Sequence, residues 1–278
     1  MSRSIDHLVV AVPDLATASA RYEALGFTLT PRASHPSAMG TANRLAQFAG
    51  RNFLELLEVD RPGTLDGHDL AASPPRFSFG AHNRDFLRGR DCGLSMLVLA
   101  TDDARRDLER FEAAGLRTHA PFEFERRATM PDGGEVRVAF RLGFVTTPEM
   151  PDIAFFVCEN RFPESFWKPP FQVHANRTRA ISRAYLAASR PEAHRDFLSA
   201  LTGGSVEAMA GGLRLACGDQ DLCVLEPAAL APLAHLDPGA GPRLVGFAVD
   251  ASGVEPHVTP PDEACGAFIE WRPSARCC

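Results

Sequence analysis

Ser4-Ile5-Asp6-His7-Leu8-Val9-Val10-Ala11-Val12-Pro13-Asp14-Leu15 opens the chain with a strand that stops abruptly and hands over to a helix. Ile5 to Val12 is rich in Val and apolar on both faces, as a buried strand is. Pro13-Asp14 breaks it. Asp14, or Thr17 close behind, can cap a helix by accepting from the free amides of its first turn. Leu15, Ala18, Tyr22 and Leu25 fall at helical spacing, and Gly26 suits the left-handed conformation that ends a helix. Phe27 to Thr30 is expected to begin a second strand. A loop holding His35, Pro36 and Gly40 follows. Ala42 to Phe48 and Phe53 to Val59 then read as strands joined across Gly50-Arg51-Asn52. The order is β-α-β-β-β.

That order returns, and repetition of this kind governs the architecture. Leu94 to Ala100 reads as a strand, and Thr101-Asp102-Asp103 opens a helix carrying Leu108, Phe111 and Leu116. Glu123 to Thr129 and Glu135 to Phe144 form a hairpin about Pro131-Asp132-Gly133-Gly134, and Ile153 to Cys158 closes the unit. Ile181 to Leu225 repeats the pattern a third time. A fourth copy is truncated to Leu244 to Val249 and Ala267 to Trp271, with a Pro-rich stretch between. The expected fold is α+β: repeated βαβββ modules forming open, U-shaped mixed β-sheets with helices on the outside. Residues 1–160 should hold two paired modules, 4–59 and 93–160, joined by a linker over 60–92 with a short helix. Residues 161–178 should be a connector, and 179–278 the third module with the truncated fourth.

The chain has 278 residues, 45% of them hydrophobic, enough for one large or two medium cores. A net charge of −6 without a basic stripe argues against a nucleic-acid partner. No apolar run approaches the roughly 20 residues that span a bilayer, and the N-terminus lacks the features of a signal peptide. The seven cysteines are scattered with no CxxC pair, which favours reduced thiols and a cytoplasmic location. Lys168 is the single lysine, so lysine chemistry has one candidate only.

Side chains alternate along a strand. His7 therefore shares a face with Val9 and Ala11, and Glu55 with Phe53 and Leu57. If the two strands are neighbours, an imidazole and a carboxylate lie side by side, a donor pair that suits a divalent ion such as Zn, Fe, Mn, Co or Ni. The plainer reading makes His7 a satisfied histidine at a strand start and Glu55 an edge carboxylate. His35 lies in a loop, where packing does not explain it, and is a candidate for substrate or metal contact, the plainer reading being a solvated loop residue. His174, just after Phe171-Gln172-Val173, is a second one. No GxSxG elbow, GxGxxG or phosphate loop is present.

The opening stretch and Phe53-Leu54-Glu55-Leu56-Leu57-Glu58 resemble the first and last strands of a module of the vicinal oxygen chelate superfamily, which includes glyoxalase I and the extradiol dioxygenases. The wider arrangement, with His35-Pro36 before Gly40-Thr41 and Phe171 to Asn176 later, resembles the glyoxalase-like domain proteins. The likeness covers roughly residues 4 to 226. It implies a divalent metal held inside the cup by His7 and Glu55. It implies a metal-dependent lyase or isomerase that acts on a small oxygenated metabolite through vicinal oxygen chelation, with Glu55, Glu270 or His35 as base. The second module departs from the pattern: Ser95 stands at the His7 position, and Phe156 near that of Glu55. Only the fourth unit repeats the carboxylate, as Glu270. Two alternatives follow. One is a metal-free small-molecule sequestering protein of the same fold. The other is an extradiol-type dioxygenase, which ranks lower because only one His stands at a ligand position. The expected partner is a small molecule, and a homodimer is the assembly to test.

Overall fold

The computed structural model describes residues 2–129, 135–236 and 241–274. Ile5–Ala11 forms β1 and Leu15–Ala24 forms α1, capped by the Asp14 carboxylate, which accepts from the Thr17 amide at 2.6 Å. The first module continues through β2 (Ala33–Ser34), β3 (Ala42–Gln47) and β4 (Phe53–Glu58), and α2 (Phe79–Gly89) follows it. The second holds β5 (Gly93–Ala100), α3 (Ala104–Ala113), β6 (Arg117–Thr118), β7 (Phe122–Thr129), β8 (Glu135–Thr146) and β9 (Ala154–Asn160). A single turn, α4 (Pro163–Phe166), lies in the connector. The third has β10 (Thr178–Ala187), α5 (Arg195–Thr202), β11 (Val206–Met209), β12 (Gly212–Cys217) and β13 (Gln220–Leu225). After α6 (Pro227–Leu230), the last unit comprises β14 (Arg243–Ala251), β15 (His257–Thr259) and β16 (Phe268–Pro273).

The strands form two open mixed sheets, as the α+β reading expected. The first runs β2-β3-β4-β1-β5-β9-β8-β6, with β7 also on β8, and the second β11-β12-β13-β10-β14-β16-β15. Both obey one rule. The first strand of a unit runs parallel to its last (β1 with β4, β5 with β9, β10 with β13, β14 with β16), and two first strands meet antiparallel at the centre.

The second strand differs from expectation: only Ala33 and Ser34 pair with β3. Thr30 still bonds Leu45 of β3, but the polar groups of Thr28 are used elsewhere. The Thr28 amide donates to His174 Nδ1 at 2.9 Å and its hydroxyl to the Val173 carbonyl at 2.7 Å. The Pro131-Asp132-Gly133-Gly134 turn lies outside the described residues, but β7 and β8 on either side of it pair antiparallel.

Alternation gives each sheet two distinct faces. Leu8, Val10, Leu54, Leu56, Leu97 and Leu99 point one way, onto α1, α3 and the corresponding face of the second sheet, and together they form the main core. Each such fully buried side chain contributes about 1.5–3 kcal/mol. The opposite faces form two cups. Leu230 and Ala234, from α6 and the turn after it, pack into the second cup against Tyr185, Cys223 and Phe268. The first cup keeps a cavity. No described helix is long and apolar enough to cross a membrane.

Candidate metal centre

β1 and β4 run parallel with His7 beside Phe53 and Val9 beside Glu55. The two-residue period therefore puts His7 and Glu55 on the same concave face. Each is only 4% exposed. His7 Nε2 stands 3.6 Å from Glu55 Oε2, and His7 Nδ1 stands 2.6 Å from Asp6 Oδ2. The Phe53 ring stacks on the imidazole, centroids 4.2 Å apart, and fixes its plane. A carboxylate only accepts, so the Asp6 contact puts a proton on Nδ1. A neutral ring then turns its Nε2 lone pair towards Glu55.

His35 reaches the same carboxylate from the other side. Its Nε2 is 3.7 Å from Glu55 Oε1 and 3.2 Å from Asn43 Nδ2. Its Nδ1 is 2.8 Å from Thr41 Oγ1. Asn43 donates to Glu55 Oε1 at 2.6 Å. The loop that carries His35 is built to return to β3. Gly40 adopts φ 61°, a left-handed conformation that costs glycine least. The Arg61 guanidinium donates to the His35 and Thr41 carbonyls, both at 2.9 Å.

The cavity above Glu55 is small, about 60 Å³, room for an ion and a few waters. Phe79, Phe124, Phe140, Phe156 and Phe166 form most of its wall, and no Lys or Arg is among the described residues that line it. From the second module the same face presents Met96, Val98 and Phe156. Ser95 is fully buried and donates to Asn83 Oδ1 of α2 at 2.7 Å, so it is spoken for.

Two expected site residues lie elsewhere. His174 is a structural histidine. Its Nδ1 accepts from the Thr28 amide, and its Nε2 stands 2.8 Å from the Gln47 carbonyl, which only accepts. Both nitrogens are thus committed, and burial lowers the ring's pKa, so it stays neutral. Glu270 belongs to β16 in the second sheet and accepts a short hydrogen bond from the Tyr185 hydroxyl. In register it sits beside Ala248, as Phe156 sits beside Val98 in the first sheet. In the second sheet it takes the place that Phe156 takes in the first, in a different cup from Glu55. Sequence reasoning also missed Asp6, Thr41 and Asn43. Asn43 had a signal: a polar residue alternating with Leu45 in an otherwise apolar strand.

The donor chemistry fits a cation. Two atoms able to ligate an ion, His7 Nε2 and Glu55 Oε2, face one another across 3.6 Å. Ligands of a tetrahedral ion with bonds of about 2.0–2.1 Å lie roughly 3.3 Å apart. A buried carboxylate costs several kcal/mol unless a cation or strong donors compensate, and Asn43 supplies one neutral donor. As they stand, no three His, Cys, Asp or Glu side chains among the described residues converge as ligands of one ion. His7 and Glu55 are the pair that fits.

Paired βαβββ modules, with the first and last strands of each side by side, define the vicinal oxygen chelate fold. The profile of the glyoxalase-like domain family matches residues 5–202, and the chain belongs to that family. No curated protein matches it. Among solved structures, a hypothetical protein from Staphylococcus aureus superposes with a TM-score of 0.73 at 13% identity, covering 98% of this chain and 99% of that one. A xylose isomerase-like TIM barrel/4-hydroxyphenylpyruvate dioxygenase fusion protein matches with a TM-score of 0.51 at 16% identity, over 91% of this chain and 37% of that one. At these identities the likeness speaks to fold alone.

Proposed function

We propose that this chain is a metal-dependent enzyme of the glyoxalase type, a lyase or isomerase acting on a small metabolite with two adjacent oxygens. One observation carries the reading. His7, whose Nδ1 is engaged by Asp6, presents Nε2 to the buried Glu55 carboxylate across 3.6 Å on one concave face. His7 and Glu55 would hold the ion. A bound ion would supply Lewis-acid polarisation of vicinal substrate oxygens. Asn43 fixes one oxygen of Glu55, which leaves that carboxylate placed to move a substrate proton. The phenylalanine wall makes the surroundings apolar, which strengthens charge interactions inside. With no cationic side chain in the described lining, the pocket suits an uncharged, largely apolar substrate better than a phosphate ester.

A second reading, a metal-free sequestering protein, draws on the apolar face that the second module presents, Met96, Val98 and Phe156. Elemental analysis of protein purified without chelator and without a metal-affinity tag separates the two. One transition-metal ion per chain supports the enzyme. Protein that is metal-free as purified, and stays so after dialysis against Zn, Mn, Fe(II), Co and Ni, sinks it.

A further inference from the structure

We infer that the substrate of this site carries a carboxylate at the end opposite its reacting oxygens, and that Lys168 receives it at the mouth of the first cup. The inference rests on the reading that those oxygens lie at Glu55, and deepens it by naming the far end of the molecule. The inner cavity, about 60 Å³, admits only the uncharged reacting end of a small substrate. The rest must lie in a space that continues from it. A second cavity, of about 290 Å³, does so. Side chains two apart on a strand share a face, and on β3 Asn43 and Leu45 line both cavities. On β8, Leu142 and Phe140 line the inner one and Val138 the outer. The outer cavity is thus the same cup face carried towards its rim, and Phe166 borders both.

The outer cavity differs from the inner in its charge. Arg32 and Lys168 line it, and no Asp or Glu is among its described lining residues. Arg32 is half-exposed and ion-pairs with Asp60 at 2.8 Å and Glu58 at 3.6 Å. Lys168 follows the turn α4 and is anchored from inside the cup. Gln47, 2% exposed, donates from Nε2 to the Phe166 carbonyl at 2.9 Å, and its Oε1 accepts from the Lys168 amide at 3.1 Å. One buried side chain therefore clasps the connector on both sides of Trp167 and fixes the backbone from which Lys168 projects. An ammonium is a compact point charge on a flexible stem, suited to meeting one carboxylate at a rim. The other space beside the inner cavity shares Met39 and Phe79 with it and is bordered by Asp66, Asp69 and Arg76, where Arg76 pairs with Asp69 at 2.6 Å. Two carboxylates against one guanidinium disfavour an anion there. The chain's single lysine thus gains a role that neither the core nor the metal pair assigns it.

The test uses the full chain, dialysed against Co(II), and two probes that share a vicinal diol on a six-carbon chain. One, 5,6-dihydroxyhexanoate, carries a carboxylate at the far end, and the other, 1,2-hexanediol, does not; calorimetry reads both affinities. Wild type should bind the acid about 10-fold more tightly than the diol, the scale of one charge-assisted hydrogen bond. Lys168→Gln should bring the two affinities together while leaving that of the diol unchanged, which a merely structural role for Lys168 would not do. Lys168→Arg should restore most of the difference, because the charge returns. Arg32→Gln should change the ratio by less than roughly 2-fold, its guanidinium being balanced by Asp60. A wild type that binds the probes equally, or binds neither, overturns the inference. So does a preference for the acid that survives Lys168→Gln, which would place the carboxylate on the ion, or one that is lost in Arg32→Gln instead, which would place it at Arg32. The metal reading is judged apart, by the Co(II) content of the dialysed protein. If the chain holds no Co(II) yet prefers the acid only while Lys168 is present, the anion site stands and the metal reading fails.

Discussion

Glu55 is the residue whose position most demands a partner. It lies on the apolar face of a strand buried on both sides, with Leu54 and Leu56 in the main core and Leu57 in the cup. His7→Ala and Glu55→Gln should each abolish stoichiometric metal, because neither remaining group holds an ion alone. Neither should unfold the chain, since the main core faces the other way. Elemental analysis and far-UV circular dichroism check both halves, and full metal occupancy in both variants would discard the site. Asp6→Asn should weaken binding by about 10–100-fold, because it removes the acceptor that fixes the His7 proton on Nδ1. Wild-type affinity in that variant would leave Asp6 with no orienting role. At this scale the sequence was partly legible. Strand alternation alone aligned His7 with Glu55. It could not bring His35 to the opposite oxygen, because that needs the Gly40 turn and the Arg61 clamp. Glu270 misled because the repeat places it in the cup of the other sheet, away from Glu55. Only the pairing of Ala248 with Glu270 shows that it occupies the place of Phe156.

Elements were easier to read than residues where one hydrogen-bond pattern dominates. The Asp14 cap, the central strands and the short helix after residue 60 all followed from local chemistry. The second strand did not, because its competitors, Val173 and His174, are about 145 residues away in the chain. The helix α2 matters to the site through one contact. Its Phe79 joins Met39 in the cavity lining, and its Gly80 lies so close to the Met39 carbonyl that an added Cβ would come within 2.0 Å of that oxygen. Backbone cannot yield as a flexible side chain does. Gly80→Ala should therefore lift α2 from the His35 loop, costing about 1–3 kcal/mol as overpacking does. Urea denaturation measures the loss, and metal affinity should fall with it because Met39 and Phe79 move together. Unchanged stability would mean that the helix and loop are not in register contact.

For the whole molecule, two cups lie back to back across a shared core; the first keeps a cavity, and Leu230 and Ala234 pack into the second. The core admits few polar groups, and the histidines at its margins make stability depend on pH. His82 Nε2 donates to the Ser95 carbonyl at 3.1 Å, and His119 Nε2 lies 2.8 Å from Thr146 Oγ1. Burial is the leading cause that lowers both pKa values to about 4. In the unfolded chain an imidazole titrates near 6.5. The unfolded state therefore binds more protons than the native state between those values, and acid favours it. The stabilisation is complete above about pH 6.5 and is lost as pH falls towards 4. For His82 the gap amounts to about 3 kcal/mol at most. Asp107 acts lower still. Burial raises its pKa, but hydrogen bonds from Arg3 and Thr101 outweigh this and hold it below the usual carboxylate range. Its contribution is present above about pH 3.9 and fades beneath it. Urea midpoints should therefore fall steeply from pH 7 to 4.5, in a range where Asp107 is still charged. The double variant His82→Gln, His119→Gln should be less stable at pH 7 yet show a flatter profile over that range. A double variant whose midpoint falls as steeply as that of wild type would show that these two rings are not the groups that titrate.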